Sequence, residues 1–164
     1  MAETAKFDGV DVLVSSWQRV RPDFNTEPLT IFSRLWRLQP HIDKMRRKTF
    51  ARHGIESWEF DMLCALRRND GRLTAGKLMR ETLVSSGTVT NRIDRMVGHG
   101  FARRLADSED GRVVHVEITD EGLRVVDAAM EDLISVEAAV LGDMPAESRA
   151  HLAALLRNLL IRFD

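Results

Sequence analysis

The stretch that most constrains this 164-residue chain runs from Leu73 to Ile118: LTAGKLMRETLVSSGTVTNRIDRMVGHGFARRLADSEDGRVVHVEI. Thr74 opens a short helical run and the cluster Ser85-Ser86-Gly87 opens a second, because a hydroxyl side chain satisfies the free N–H groups of a first helical turn. In the second run Val89, Ile93, Met96 and Val97 recur at spacings of three and four, which predicts one apolar face. Ser86, Thr88, Thr90, Asn91, Arg92 and Arg95 fall on the polar face. Gly98 and Gly100 punctuate the helix end. Two β-like runs follow, FARRLA and RVVHVEI, separated by Asp107-Ser108-Glu109-Asp110-Gly111.

Helix, turn, helix and a two-stranded hairpin in that order make a winged helix-turn-helix, a module that usually holds DNA. The formal net charge of −1 runs against that use, so its distribution matters. Residues 72–104 carry seven Lys or Arg against two acids, whereas residues 117–164 carry ten acids against four Arg. A basic centre beside an acidic flank can bind a polyanion despite a near-neutral total. On this reading Ser86, Thr88, Thr90, Asn91, Arg92 and Arg95 face the major groove, where Arg to guanine or Asn to adenine gives bidentate readout. Arg112, near the hairpin tip, enters the minor groove, and Asp110 orients its guanidinium. Arg103 and Arg104 are expected to act as phosphate or structural partners.

The flanks read as helices. Val10, Leu13, Val14 and Trp17 share one face of a first helix that Pro22 stops; Thr26 and Pro28 begin a long second one. Pro40 lies inside it, so a kink or a junction of two helices near Leu38 is expected. Ser57 is the expected cap of WEFDMLCALRR, and Thr119 that of LRVVDAAMEDLISVEAAVL. The last helix, AESRAHLAALLRNLLIRF, is unusually apolar for a terminal element. The expected fold is mainly α with a small β wing. Residues 1–53 and 119–164 are read as helical flanks around a winged helix-turn-helix lobe at 54–118.

Apolar and charged contents of 44 % and 30 % fit an ordinary globular protein. No apolar run approaches the roughly 18 residues that cross a bilayer, and MAETAKFDGVD is polar and acidic, so a cytoplasmic protein without a membrane partner is expected. The five histidines are scattered, without the Cys/His spacing of a zinc site, and no phosphate loop or nucleophile elbow occurs. Neither a cofactor nor catalysis is expected.

The order of elements, and above all SSGTVTNRIDRMVGHGFARRLADSEDGRVVHVEITDEG, resembles the MarR family of bacterial transcriptional regulators. The wing motif is Asp110-Gly111-Arg112 and the closing motif Ile118-Thr119-Asp120-Glu121-Gly122. The resemblance covers nearly the whole chain and implies a homodimer built on the terminal helices, reading a pseudo-palindrome. Residues VDVLVSSWQRVRPDFNTEP look like the additional first helix of the urate-responsive branch, which carries a Trp there and an Asp and Arg seven apart before the helix-turn-helix. Trp17, Asp61 and Arg68 match that pattern. It implies a site for a small organic or aromatic acid, completed by one of Arg92, Arg95, Arg103 and Arg104. Taken by themselves, the same three residues also suit a ring anchoring a helix and, for Asp61 or Arg68, a structural ion pair with another helix. Two other functions fit the residues: an oxidation-sensing regulator acting through Cys64, and a winged helix used only for protein–protein association through its acidic C-terminal face.

Overall fold

The structure, a computed structural model, describes residues 7–107 and 113–163. Asp110 and Arg112, the wing-tip residues singled out above, lie outside the described residues. The chain divides into two compact units, Met1–Arg46 and Arg47–Asp164.

In the first unit, α1 (Gly9–Val20) starts at Asp8, whose Oδ1 accepts the N–H groups of Val10 at 2.7 Å and Asp11 at 3.1 Å. Arg34, on α2 (Glu27–Ala51), donates to Asp8 at 2.9 Å and to Asp11 at 2.8 Å. The Arg34 guanidinium holds the Asp8 carboxyl down at about 2. The helix α2 runs through Pro40 without interruption, so the expected junction of two helices near Leu38 is not found. Proline removes one interior hydrogen bond and leaves the flanking turns to carry the helix.

The second unit contains α3 (Ser57–Arg68), β1 (Arg72–Thr74), α4 (Ala75–Glu81), α5 (Ser86–Gly98), β2 (Ala102–Ala106), β3 (Val114–Ile118), α6 (Asp120–Leu141) and α7 (Ala146–Leu160). The sheet has three antiparallel strands in the order β1-β3-β2, with Leu73 opposite Val116 and Arg103 opposite Glu117. The two-stranded wing of the sequence reading thus gains a strand. Its three residues are too few to show an alternating pattern. The cap of α3 is Glu56, one residue before the expected Ser57, with its N–H donating to Glu59 Oε2 at 2.8 Å.

Phe60, Met62, Leu63, Leu66, Leu78, Ile93, Met96, Val116 and Val126 are buried in one core that joins α3, α4, α5, β3 and α6. Phe50 stacks on Phe60 with ring centroids 4.1 Å apart. Three polar contacts, made by two aspartates, tie α6 into this unit. Arg67 on α3 meets Asp127 at 3.0 Å, and His53 and Arg52 meet Asp132 at 2.9 and 3.1 Å. His53, then Arg52, holds the Asp132 carboxyl below its ordinary range.

The entry to α6 is a tight corner. Thr119 caps the helix by accepting the Gly122 N–H at 3.0 Å, and its hydroxyl donates to the Gly100 carbonyl at 2.7 Å. The Thr119 N–H donates to the Phe101 carbonyl at 3.0 Å. A side chain at position 122 would bring Cβ to 2.2 Å from that same carbonyl oxygen. The glycine of the closing motif is therefore a demand of packing.

Cys64 is 5 % exposed and belongs to the core. A buried thiol without solvent access reacts slowly, so the native protein is expected to resist a thiol-alkylating reagent and to become labelled only in denaturant. Rapid native labelling, followed by mass spectrometry, would support the oxidation-sensing reading.

Candidate nucleic-acid interface

The helix-turn-helix is built by two caps and one left-handed turn. Thr74 Oγ1 accepts the Lys77 N–H at 3.2 Å to start α4, and Ser85 Oγ accepts the Thr88 N–H at 3.4 Å to start α5. Between them Leu83 takes φ +53° and is almost wholly exposed. The Val84 N–H returns to the Met79 carbonyl at 3.3 Å.

Val89, Ile93 and Met96 anchor α5 in the core. Val97, expected on that face, is exposed; at 100° per residue it stands about 40° beyond Ile93, past the edge of the buried arc. Ser86, Thr88, Thr90, Asn91 and Arg95 are exposed and Arg92 is half-buried. The proposed reading residues therefore lie off the buried face of a helix fixed on its other side by three apolar anchors. Thr90 donates to the Ser86 carbonyl at 3.2 Å and Thr88 Oγ1 lies 2.9 Å from Ser85 Oγ, leaving oxygen lone pairs for further bonds.

The arginines of this surface are not equivalent. Arg95 donates to Glu56, and its guanidinium sits 4.7 Å from the centre of the Trp58 ring. Trp58 Nε1 also donates to Glu56, at 3.0 Å. Arg95, with Trp58 second, draws the Glu56 carboxyl below its ordinary range. Arg92 approaches the same indole at 5.3 Å, a cation–π distance, and among the described residues it has no carboxylate partner. Arg103 pairs with Glu117 across the strands, and Arg104 with Asp94 of α5. Nothing in the sequence marks Glu56, Trp58 and Asp94 as partners of these arginines. The Glu56–Glu59 spacing of a capping pair was the one signal available there.

Further along, Glu59, 1 % exposed, accepts from or donates to His99 Nδ1 at 2.7 Å. With Arg95 and His99 four apart on α5, and Glu56 and Glu59 three apart at the start of α3, two polar contacts join one turn of each helix.

The residues of the expected acid site are distributed between the two units. Trp17 belongs to the first, where it lines a cavity of about 510 Å³ with Asp23, Phe24, Asn25, Thr26 and Leu29. Its ring lies 6.1 Å from that of Phe24, over which Arg21 sits at 3.8 Å while pairing with Asp23 at 2.6 Å. Asp61 and Arg68 belong to the second unit, both exposed on α3, and Arg68 stands 3.8 Å from Glu81. Among the described residues no cluster of His, Cys, Asp and Glu has a metal-binding arrangement, and no helix is long and apolar enough to cross a membrane.

The comparisons agree with this geometry. A family model described as MarR family matches residues 53–113. The HTH-type transcriptional regulator PecS of Dickeya dadantii is 30% identical over 154 residues, covering 93% of this chain and 93% of PecS. The HTH-type transcriptional repressor YetL of Bacillus subtilis is 25% identical over 137 residues, 83% of this chain and 82% of its own. A solved mutant MarR from E. coli complexed with operator DNA shares the fold, with a TM-score of 0.71 and 22% identity over 82% of this chain and 96% of that one. With a relative this similar along nearly the whole of both sequences, the chain belongs to the MarR family of transcriptional regulators.

Proposed function

We propose that this chain is a homodimeric repressor that leaves a pseudo-palindromic operator when a small organic or aromatic acid binds, as in the urate-responsive branch it resembles. The observation that carries the DNA-binding part is α5: a capped helix, anchored by Val89, Ile93 and Met96, with Ser86, Thr88, Thr90, Asn91 and Arg92 off its buried face. Each such helix enters a major groove, with half-sites about 10 bp apart or a small multiple of that. The wing, through Arg112 oriented by Asp110, follows the adjacent minor groove. Dimerisation through the helices of residues 1–53 and 119–164 is supported by α7, which buries none of its residues and exposes Leu152, Leu155, Leu156 and Leu160.

The effector part rests on the resemblance that singles out Trp17, Asp61 and Arg68, with Trp17 contacting the acid's ring. In this reading Arg68 pairs with the acid's charge, and Asp61 is repelled by it, which supplies the differential interaction a switch requires.

Fluorescence anisotropy of the protein on its own upstream DNA, across a salt series and with or without urate and related acids, tests both parts. The expected result is tight binding whose affinity falls steeply with salt, weakened about tenfold by Arg92→Ala and released by one of the acids. Trp17→Phe and Arg68→Ala keep DNA binding and lose the release. Binding that ignores salt removes the DNA reading, and full release in both variants removes the acid site.

A further inference from the structure

Three of the seven cations in the basic stretch that suggests a polyanion partner are paired with carboxylates of the same chain. Arg95, Arg103 and Arg104 are held by Glu56, Glu117 and Asp94 respectively. Two of these acids come from outside residues 72–104, so counting charge along the sequence does not reveal the pairing. Asp94 differs from the other two acids in its position. It is carried by the reading helix itself, its side chain is 57% exposed, and it lies about 100° to 160° around α5 from Ile93, Val89 and Met96. A carboxylate on that face of a DNA-reading helix opposes phosphate.

Resting on the DNA-binding reading above, we propose that Asp94 determines specificity by withholding Arg104 from non-cognate DNA. Arg104, on β2, donates to Asp94 Oδ1, and among the described residues no other side chain meets that carboxylate. While the pair is closed it presents no net charge to a phosphate, because the Asp94 carboxylate offsets the Arg104 guanidinium. Loose association with backbone phosphates, which is driven by cation–phosphate contacts and counterion release, therefore gains nothing from this arginine. In a cognate groove the carboxylate meets a base-edge amino group such as cytosine N4, which it can accept from, and Arg104 becomes available to the adjacent phosphate. Specificity then comes from a repulsive element as well as from attractive contacts.

The test compares two duplexes of equal length: the tightest binder from a random-sequence selection, and a scrambled version of it. With Asp94→Asn, affinity for the scrambled duplex is expected to rise about five- to tenfold while the selected duplex, which loses the carboxylate's base contact, gains nothing, so that its preference over the scrambled one falls by at least that factor. The slope of log affinity against log salt on scrambled DNA should steepen by about one, since one more cation reaches phosphate. Adding Arg104→Gln to Asp94→Asn should cancel the gain, the non-additivity expected of paired residues. Asp94→Ser carries the same expectations and serves if the amide variant folds poorly by circular dichroism. Equal weakening on both duplexes overturns the proposal, because the pair then merely holds α5 to β2. Loss confined to the selected duplex also overturns it, since Asp94 then reads a base without restraining Arg104. Unchanged affinities on both duplexes do so too. Failure of the DNA-binding reading itself is visible beforehand, as absence of salt-dependent binding by the unaltered protein.

Discussion

Gly122→Ala is expected to destabilise the second unit by about 3 kcal/mol, the upper range for forcing a methyl into filled space. The new Cβ would stand 2.2 Å from the Phe101 carbonyl oxygen and 2.8 Å from the Ile118 side chain. The first of these is backbone, and it is already committed to the Thr119 N–H at 3.0 Å. Relief therefore requires moving β2 away from the start of α6, breaking the corner that Thr119 closes with Gly100 and Gly122. For a unit of this size, the melting temperature should fall by about 10 °C. Thr119→Ala removes only the cap and should cost about 1 kcal/mol. Thermal melts of the three proteins check both. A Gly122→Ala melt within 2 °C of the unaltered protein would show that the corner is not as tight as its geometry.

That corner illustrates what the sequence made legible. The start at Thr119, the caps Thr74 and Ser85, and the anchors Val89, Ile93 and Met96 all follow from local chemistry and helical period, and the structure has them in place. What escaped was set by neighbours distant in sequence. β1 exists because Leu73 finds Val116 across the sheet, and three residues cannot announce that alone. Val97 reads as core by spacing, yet whether the edge of an arc is covered depends on what packs there. The same holds for charge: Arg95, Arg103 and Arg104 read as a basic surface until Glu56, Glu117 and Asp94 are seen beside them. For the acid site, the motif named Trp17, Asp61 and Arg68, but the cavity beside Trp17 is lined by Asp23, Phe24, Asn25, Thr26 and Leu29, from the turn and the start of α2. No spacing rule would pick those residues out.

Leu155→Asp combined with Leu156→Asp is expected to abolish dimerisation and to reduce operator affinity by about 10²- to 10⁴-fold. The reason lies in α7, where the apolar residues Leu152, Leu155, Leu156 and Leu160 recur at helical spacing yet stand 41%, 54%, 42% and 60% exposed in the single chain. An apolar stripe of that kind on a surface marks an association site, and a carboxylate placed in it must be desolvated for association to proceed. A dimer holds its second reading helix at an effective concentration near the millimolar range once the first has bound. A monomer loses that advantage while keeping every contact within one half-site. Because α7 buries none of its residues in the single chain, the substitutions should leave circular dichroism unchanged. Light scattering on the two proteins, followed by titration against a full operator and a single half-site, separates the effects. The double variant should bind the half-site as well as the unaltered protein does and lose only the gain from the full operator. Equal loss on both DNAs would mean that α7 supports the reading module directly, and a variant that stays dimeric would move the interface elsewhere.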